Sequence, residues 1–563
     1  MNWTPKNTPD RETVNQLQET LKIPKLNARL LVQRGLYTFE TAKTFFRPNP
    51  DQLYDPYQMA GMDRAISRIE KALQEEEKIL IYGDYDVDGT TAVALVYTYF
   101  SQDSTNLEYY IPDRYSEGYG ISTQGIDYAD AQGISLIIAL DCGVKAVSEM
   151  EYASGLGIDF IICDHHKPGE ILPKAYALLN PKQAHCTYPE KELCGCGIGF
   201  KLIQAYHQKQ RRNWDEIKPL LALVATATAA DIVPLIGENR VLTALGMLEL
   251  QNTKLLGLRN LLGERKKPYR ISDLVFGVAP RINAAGRMEH AKVAVELLTS
   301  TDETHSQGIA QAIEQFNEAR RTVEQNITAE ALEQVKNSED KDRKSTVVYN
   351  KKWHKGVIGI VASRLIETYY RPTIVCCLSG DTIVASVRSV RGFDVYQALH
   401  TCSEHLLQFG GHKYAAGLSL APENFAAFKE AFETAVCSQI LPEQQSPQLS
   451  YDLEVSFAEI NPKVYRIIQQ MRPFGPGNMR PVFFTSDCTD GGFSRIVGKD
   501  KNHLKLDVID PSGRRFSGIG FGLAPQWEAL KESSFEILYC LEENTFNDQT
   551  TLELQVKDIR ANQ

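Results

Sequence analysis

ILIYGDYDVDG, residues Ile79–Gly89, runs from a short apolar stretch straight into a loop that carries three aspartates. Ile79–Tyr82 reads as a strand bounded by glycine. Two further apolar runs end the same way: Leu136–Leu140 is followed by Asp141, and Asp159–Cys163 by the triplet Asp164-His165-His166. Helical stretches separate the three runs, which predicts successive strands of a parallel sheet. Ligands at the carboxyl ends of such strands converge in one crevice. Asp84, Asp86 and Asp88 alternate through the loop, so their carboxylates can reach a common centre without sharing a helix face. Asp141 and His165 would close on that centre from neighbouring strands. Carboxylate oxygens with a minority of imidazole suit Mn²⁺ or Mg²⁺ better than a sulfur-bound zinc. A single GDxD is most often a turn and a helix cap; three clusters, each just past an apolar run, point to a two-metal hydrolase.

At 563 residues the chain exceeds one compact core, and three or four domains are expected. No apolar stretch reaches the length of a membrane span, and the N-terminal MNWTPKNTPDRETV lacks the hydrophobic segment of a signal peptide. A cytoplasmic protein without membrane contact is expected. Cys142, Cys163, Cys376 and Cys377 lie inside apolar runs and read as small, reduced hydrophobes. His185, Cys186, Cys194 and Cys196 offer zinc donors, but C-x-C is not the spacing of a zinc knuckle. A net charge of −10 and a pI of 5.7 argue against broad nonspecific affinity for nucleic acid. They do not exclude a nuclease, because a carboxylate-rich centre carries negative charge that its ions neutralise. Basic clusters remain at Arg265-Lys266-Lys267 with Arg270, and at Arg495, Lys499, Lys501 and Lys505.

Residues 1–60 read as helical and amphipathic, with Leu26, Leu30, Leu31 and Leu36 ahead of a Pro-containing stretch, and are expected to cap the catalytic domain. Over 61–305 strands and helices alternate, ending in the helical run Pro219–Ala230, which delivers Asp231, and a PRINAAGRM loop at Pro280–Met288. Ile309, Ile313, Phe316, Val323, Ile327 and Val335 recur at helical steps, which predicts one long amphipathic helix over Glu303–Lys336. With the charged exit NSEDKDRKS it makes 306–345 a strut between domains. Residues 346–440 read as a second α/β unit, with strand Val347–Tyr349, helix Val357–Tyr370 and strands Thr373–Cys377 and Thr382–Val387. After a Pro/Gln-rich linker at Leu441–Leu449, 450–563 holds short alternating strands with Gly and Asp turns, the pattern of a small barrel. The expected fold class is α/β: a parallel-sheet catalytic domain and a smaller α/β domain joined by a long helix, plus a C-terminal β-barrel.

Further ordered motifs carry a resemblance. They are IPDRYSEGYG (Ile111–Gly120), CGCGIGFKL (Cys194–Leu202), Ala229-Ala230-Asp231-Ile232-Val233-Pro234, PRINAAGRM, GVIGIVASRL (Gly356–Leu365), GGHKYAAG (Gly410–Gly417) and PFGPGN (Pro473–Asn478). With the acidic clusters they resemble the DHH phosphoesterase superfamily and, from about Asn27 to near the C-terminus, its bacterial single-strand-specific exonucleases. The resemblance implies that Asp141 bridges two ions, that Asp86 serves one, and that Asp88, His165 and Asp231 serve the other. Tyr82 stands where the family II pyrophosphatases of the superfamily have a histidine, and Asp84 is expected to compensate as a further ligand. Asp164 is expected to orient a neighbour, and His166 to face the scissile phosphate for transition-state stabilisation or proton transfer. CGCGIGFKL matches the superfamily's glycine-rich turn into a helix, and 450–563 would be an OB-like fold.

The second α/β unit would be the DHH-associated domain and hold nucleic acid. Arg114, Arg281 and Arg287 of the first domain, with Ser386, Arg388, Gly411 and His412 of the second, are candidates for gripping a 5′-terminal phosphate. Phe474, Phe483, Phe484 and Phe493 interleave with Arg472, Arg480 and Arg495 and are expected to extend the DNA path, with at least one of Phe483 and Phe484 in the core. The implied function is a processive 5′→3′ exonuclease on single-stranded DNA in recombination and repair, a monomer working with a RecQ-like helicase and single-strand binding protein. One alternative is a nanoRNA or cyclic-dinucleotide phosphodiesterase, which generally lacks the cap, strut and barrel. Another is a noncatalytic replication scaffold that binds single strands. Against the scaffold stand the intact Asp86, Asp88, Asp141, His165 and Asp231, a costly cluster of like charge without ions.

Overall fold

A computed structural model of the chain describes residues 1–265, 268–338, 342–546 and 549–562. Lys266 and Lys267 of the first basic cluster, and Glu339–Lys341 of the charged linker, lie outside the described residues. Five parallel strands form the first sheet in the order Leu107–Tyr110, Ile79–Gly83, Leu136–Leu140, Asp159–Cys163, Ala177–Leu179. The central three are buried along almost their whole length, which is why they read as continuous apolar runs. Strand order reverses between Ile79–Gly83 and Leu136–Leu140, and open α/β sheets bind ligands at such a switch point. Register sharpens the argument. Gly83 pairs with Leu140 and Leu140 with Cys163, so Asp84, Asp141 and Asp164 leave three neighbouring strands at one level.

PRINAAGRM is a correction: it is not a loop but the helix Ala279–Met288, with its proline in the first turn, where a missing N–H costs nothing. The strut is one helix, Glu303–Lys336, of 34 residues, about 50 Å long at 1.5 Å per residue. Ile313 on its N-terminal half joins the catalytic core, and Ile327, Ala331 and Val335 on its C-terminal half join the second unit. That unit has a five-stranded sheet ordered Gln408–His412, Ala415–Leu420, Thr382–Arg388, Thr373–Ser379, Thr346–Tyr349, mostly antiparallel.

The C-terminal unit is a seven-stranded sheet in which Phe483–Asp490 also pairs with His503–Ile509, closing it into a barrel. The N-terminal segment corrects a second expectation. Its leucine stripe is buried against this barrel rather than the catalytic domain: Val14, Leu17, Leu26, Leu30 and Leu31 share one core with Phe457, Val464, Tyr465 and Phe483. Asn2–Pro5 runs parallel to Gln448–Tyr451, and buried Asn27 donates to the Val464 carbonyl at 3.1 Å. An apolar stripe specifies burial, not the surface that provides it. The later part of the segment also reaches the catalytic domain: the Phe45 carbonyl accepts from Arg240 at 3.1 Å, and Tyr57 donates to the Ala205 carbonyl at 3.1 Å. No helix among the described residues is long and apolar enough to cross a membrane.

Candidate active site

Past the switch point, His165 Nε2 lies 3.1 Å from Asp141 Oδ1, 3.7 Å from Asp231 Oδ2 and 3.8 Å from Asp88 Oδ2. Two sets of close donors share that imidazole, one with Asp88 and Asp231, the other with Asp141 and His166. Asp141 has φ of +60°, an uncommon backbone for a non-glycine residue. Such strain persists where the surroundings fix the residue, and it collects at functional sites. Asp88 is fixed by a helix start. The N–H groups of Gly195 and Cys196, opening helix Gly195–Lys209, donate to its two oxygens at 2.6 and 2.7 Å. Gly195 lies so close to Asp141 that a Cβ would stand 2.7 Å from Oδ1, which accounts for the first glycine of CGCGIGFKL. Asp86 caps helix Val87–Phe100 through the Gly89 N–H at 3.1 Å, and Asp84 is wholly buried.

Asp164 accepts from the Val144 N–H at 2.8 Å on one oxygen, and from the His166 N–H at 3.0 Å on the other, which also contacts His166 Nδ1 at 2.8 Å. Burial works against a charged His166, but the contact with Asp164 and the charges of Asp164, Asp231 and Asp86 outweigh it and raise its pKa. His166 Nε2 meets the Tyr119 hydroxyl at 3.2 Å, and that hydroxyl also lies 3.1 Å from the Asp141 carbonyl. Tyr119 sits inside the EGYG of a quoted motif, yet sequence reasoning gave it no role. Tyr82 turns away from this centre. Its hydroxyl donates to the Gly120 carbonyl at 2.9 Å and accepts from the Ser122 N–H at 3.1 Å.

Three arginines gather where the two α/β units meet. Arg287 donates to the Gly356 carbonyl of the second unit at 2.6 Å. Its pKa is lowered to about 10 by burial and by the charges of Arg114, Arg320 and Arg388. Arg114 lies over the Tyr85 ring at 4.5 Å, and Arg388 and Ser386 pack against Gly359, where a Cβ would meet them at 3.0 and 3.2 Å. Among the described residues none of Arg114, Arg287 and Arg388 forms an ion pair, whereas Arg320 is paired with Glu324 at 2.5 Å. A cavity of about 230 Å³ between the units is lined by Ala230, Arg287, Arg320 and Ile360. His412 faces the first unit across the cleft: its pKa is lowered by burial, then by the charges of Lys145, His166 and Lys182. Neither lysine was singled out by motif. Gly411, beside it, has φ of +147°, and a Cβ there would strike the Ala416 Cα at 2.5 Å.

Arg281 is not in this group. It pairs with Glu314 of the strut and donates to the Gly277 carbonyl at 2.7 Å. The aromatic path also contracts. Phe483 is core, Phe484 packs on Tyr451 and Trp3 with ring centroids 5.0 and 6.0 Å apart, and Phe474 is half-buried against the barrel core. Arg472 is half-buried, and Arg480 bonds Gln555 and Glu542 within the barrel. Phe493 is 69% exposed, beneath the Arg515 guanidinium.

Comparison with known proteins fits this arrangement. Family models match as DHH family, N-terminal domain, over residues 78–228, DHHA1 domain over 342–437, and RecJ OB domain over 451–558. The single-stranded-DNA-specific exonuclease RecJ of Bacillus subtilis (strain 168) is 36% identical over 98% of this chain and 70% of its own length. That of Escherichia coli (strain K12) is 33% identical over 96% of each. The chain belongs to the RecJ family. The crystal structure of RecJ from Thermus thermophilus in complex with Mn²⁺ matches with a TM-score of 0.86 at 25% identity, covering 100% of this chain and 80% of that one.

Whether this RecJ-family chain suits divalent ions can be judged from its own atoms. Donors each about 2.1 Å from one octahedral ion stand about 3 Å apart, close to the spacing around His165. Among the described residues, neither oxygen of Asp84 nor Asp141 Oδ1 meets a hydrogen-bond donor in good geometry. Burial and then neighbouring carboxylate charge raise the pKa of Asp88 to about 7 and of Asp231 to about 8, and push Asp84 and Asp141 up as well. Burial, then the charge of His166, lowers His165 to about 3, which leaves it a neutral donor. Crowded anions around a neutral imidazole are what hard divalent cations stabilise.

Proposed function

We propose that the chain is a single-stranded-DNA-specific exonuclease that hydrolyses phosphodiester bonds from the 5′ end by a two-metal mechanism. The observation that carries the reading is the pairing of the Asp88–Asp141–His165–Asp231 cluster with three arginines that form no ion pair among the described residues, at the mouth of the same cleft. Asp84, Asp86, Asp88, Asp141, His165 and Asp231 would hold two Mn²⁺ or Mg²⁺ ions, which supply a water of lowered pKa and neutralise phosphoryl charge.

The remaining work falls to side chains. Asp164 fixes the His166 ring through Nδ1 and favours its protonated form, in which Nε2–H donates to a phosphoryl oxygen or the leaving oxygen. Tyr119 holds that nitrogen in place until substrate arrives. Arg114, Arg287 and Arg388, with Ser386 and the Gly411-His412 backbone, grip a terminal 5′-phosphate. A terminal phosphate carries more charge than an internal one, so three guanidiniums with no carboxylate partner among the described residues favour the chain end. The cleft between the units then admits one strand. The family resemblance supports a monomer acting with a RecQ-like helicase and single-strand binding protein in recombination and repair.

The test is degradation of internally labelled single-stranded DNA with Mn²⁺, comparing a free 5′-phosphate, a blocked 5′ end, a blocked 3′ end and a blunt duplex, with Asp141→Ala as control. Loss of activity with the blocked 5′ end, the duplex and the variant alone is expected. Cleavage confined to very short oligonucleotides would favour a nanoRNA phosphodiesterase, and binding without turnover a scaffold.

A further inference from the structure

Asp231 differs from the other proposed ligands in what holds it. Asp84, Asp141 and His165 follow strands of the catalytic sheet. Asp231 ends helix Leu221–Ala230 and enters a loop that is rooted in the catalytic core by Val233 and reaches the barrel at Leu235. The next residue, Ile232, has φ of +60° and is 64% exposed. A β-branched residue in the left-handed region is a genuine outlier, and it persists only when its surroundings over-determine it.

Three residues further on, the C-terminal unit takes hold of the same loop. The Leu235 N–H donates to the Pro476 carbonyl at 2.7 Å. Gly475 and Gly477 admit the loop so closely that a Cβ would stand 2.6 Å from Leu235 Cδ1 and 2.9 Å from Ile236 Cγ2. At the far end, buried Arg240 donates to the carbonyls of Met471 at 3.0 Å, Arg472 at 2.9 Å and Phe45 at 3.1 Å, and stacks on the Phe45 ring. Asn478, also buried, donates to the Met471 and Pro473 carbonyls at 2.8 Å each and accepts from Arg34 Nε at 3.0 Å. PFGPGN is therefore a joint between units, and its opposite surface is the Asp231 loop.

We infer that the Pro473–Asn478 loop of the barrel, through Leu235 and Arg240, is the positioning element for Asp231, so that the C-terminal unit sets how tightly the catalytic centre holds its divalent ion. The inference rests on Asp231 being a ligand, as proposed above. Arg240 and Asn478 are positioning residues: they touch neither ion nor DNA and act through the loop.

The experiment uses the full chain with Arg240→Lys, Gly477→Ala and Asn478→Ala, and with Asp231→Ala as reference. Mn²⁺ binding is measured calorimetrically on metal-free protein without DNA, single-strand affinity by fluorescence anisotropy without metal, and hydrolysis as a function of Mn²⁺. Loss of a residue that orients a ligand weakens metal binding about 10-fold or more, so that increase in Mn²⁺ Kd is expected with single-strand affinity unchanged. Hydrolysis should recover at saturating Mn²⁺, which a merely unfolded joint would not allow. Wild-type Mn²⁺ affinity in the three variants, beside a weakened Asp231→Ala, would overturn the inference. So would parallel loss of Mn²⁺ and DNA binding, which would mean collapse of the joint. Unchanged Mn²⁺ affinity in Asp231→Ala would instead overturn the ligand assignment itself.

Discussion

Gly195→Ala sets two effects against each other. Gly195 opens a helix, and alanine is better than glycine in a helix interior by about 1 kcal/mol, so local propensity favours the change. Contact geometry opposes it. The new Cβ would stand 2.5 Å from Asp141 Cβ and 2.7 Å from Oδ1. Carbon atoms settle near 3.5 Å, so Asp141 or the helix start must shift by about 1 Å. The same helix start holds Asp88 through the Gly195 and Cys196 N–H groups, so retreat of the helix loosens that carboxylate as well. Overpacking of this kind costs about 1–3 kcal/mol of stability, whereas a displacement of 1 Å at a reacting centre costs about 10²-fold in rate. Gly197→Ala is the matched control two residues on, because a Cβ there meets nothing closer than 3.6 Å. The assay is Mn²⁺-dependent release of nucleotides from single-stranded DNA beside a thermal melt of the metal-free protein. Gly197→Ala should keep wild-type turnover, and Gly195→Ala should lose about 10²-fold while remaining folded. Wild-type turnover and unchanged Mn²⁺ half-saturation in Gly195→Ala would refute the claim that Asp88 and Asp141 are built against this helix.

Arg388→Met should lower the preference for a 5′-phosphate over a 5′-hydroxyl, read as the ratio of initial rates on the two strands, with little effect on Mn²⁺ half-saturation. Asp164→Asn removes the charge that orients His166, so kcat should fall about 10–100-fold with KM for DNA unchanged. Lys201 and Glu238 form a fully buried pair at 2.9 Å, and Lys201→Met strands the glutamate; a loss of about 3–5 kcal/mol is expected in denaturant titration, part of it recovered by adding Glu238→Gln. Asp510 opposes its burial with hydrogen bonds from Ser512, Phe457 and Ser456, which hold its carboxyl below the ordinary range. A depressed carboxyl stabilises the fold above the unfolded pKa of about 3.9 and loses that contribution as pH falls through the lower folded value. Asp510→Asn should therefore flatten the acid limb of the stability curve, measured by melting temperature against pH.

The grouping of Asp84, Asp141 and His165 was legible because its information is local: each lies just past its strand, and an apolar run fixes where that strand ends, whereas Asp231 arrives from the end of a helix. The arginine pocket was only half legible. Arg281 and Arg287 stand six residues apart in helix Ala279–Met288, and at 100° per residue they point about 120° apart. Recognising PRINAAGRM as a helix would have shown that both could not enter one pocket, and the structure gives Arg287 to the cleft and Arg281 to Glu314. Pairings between distant segments left no such trace. Nothing near Phe484 indicates that Trp3 will cover it, and nothing in the leucine stripe of residues 26–31 names the barrel as its partner. Glycine-rich loops add a further ambiguity, since the lack of a Cβ serves close approach to any backbone. In Gly410-Gly411-His412 that freedom lies at the cleft, while in PFGPGN it admits Leu235 and Ile236 of the same chain. Composition cannot separate the two cases. The deciding fact is which unit the loop faces, and that follows from Arg240 tying the barrel to the catalytic unit, a contact between residues 232 apart in sequence.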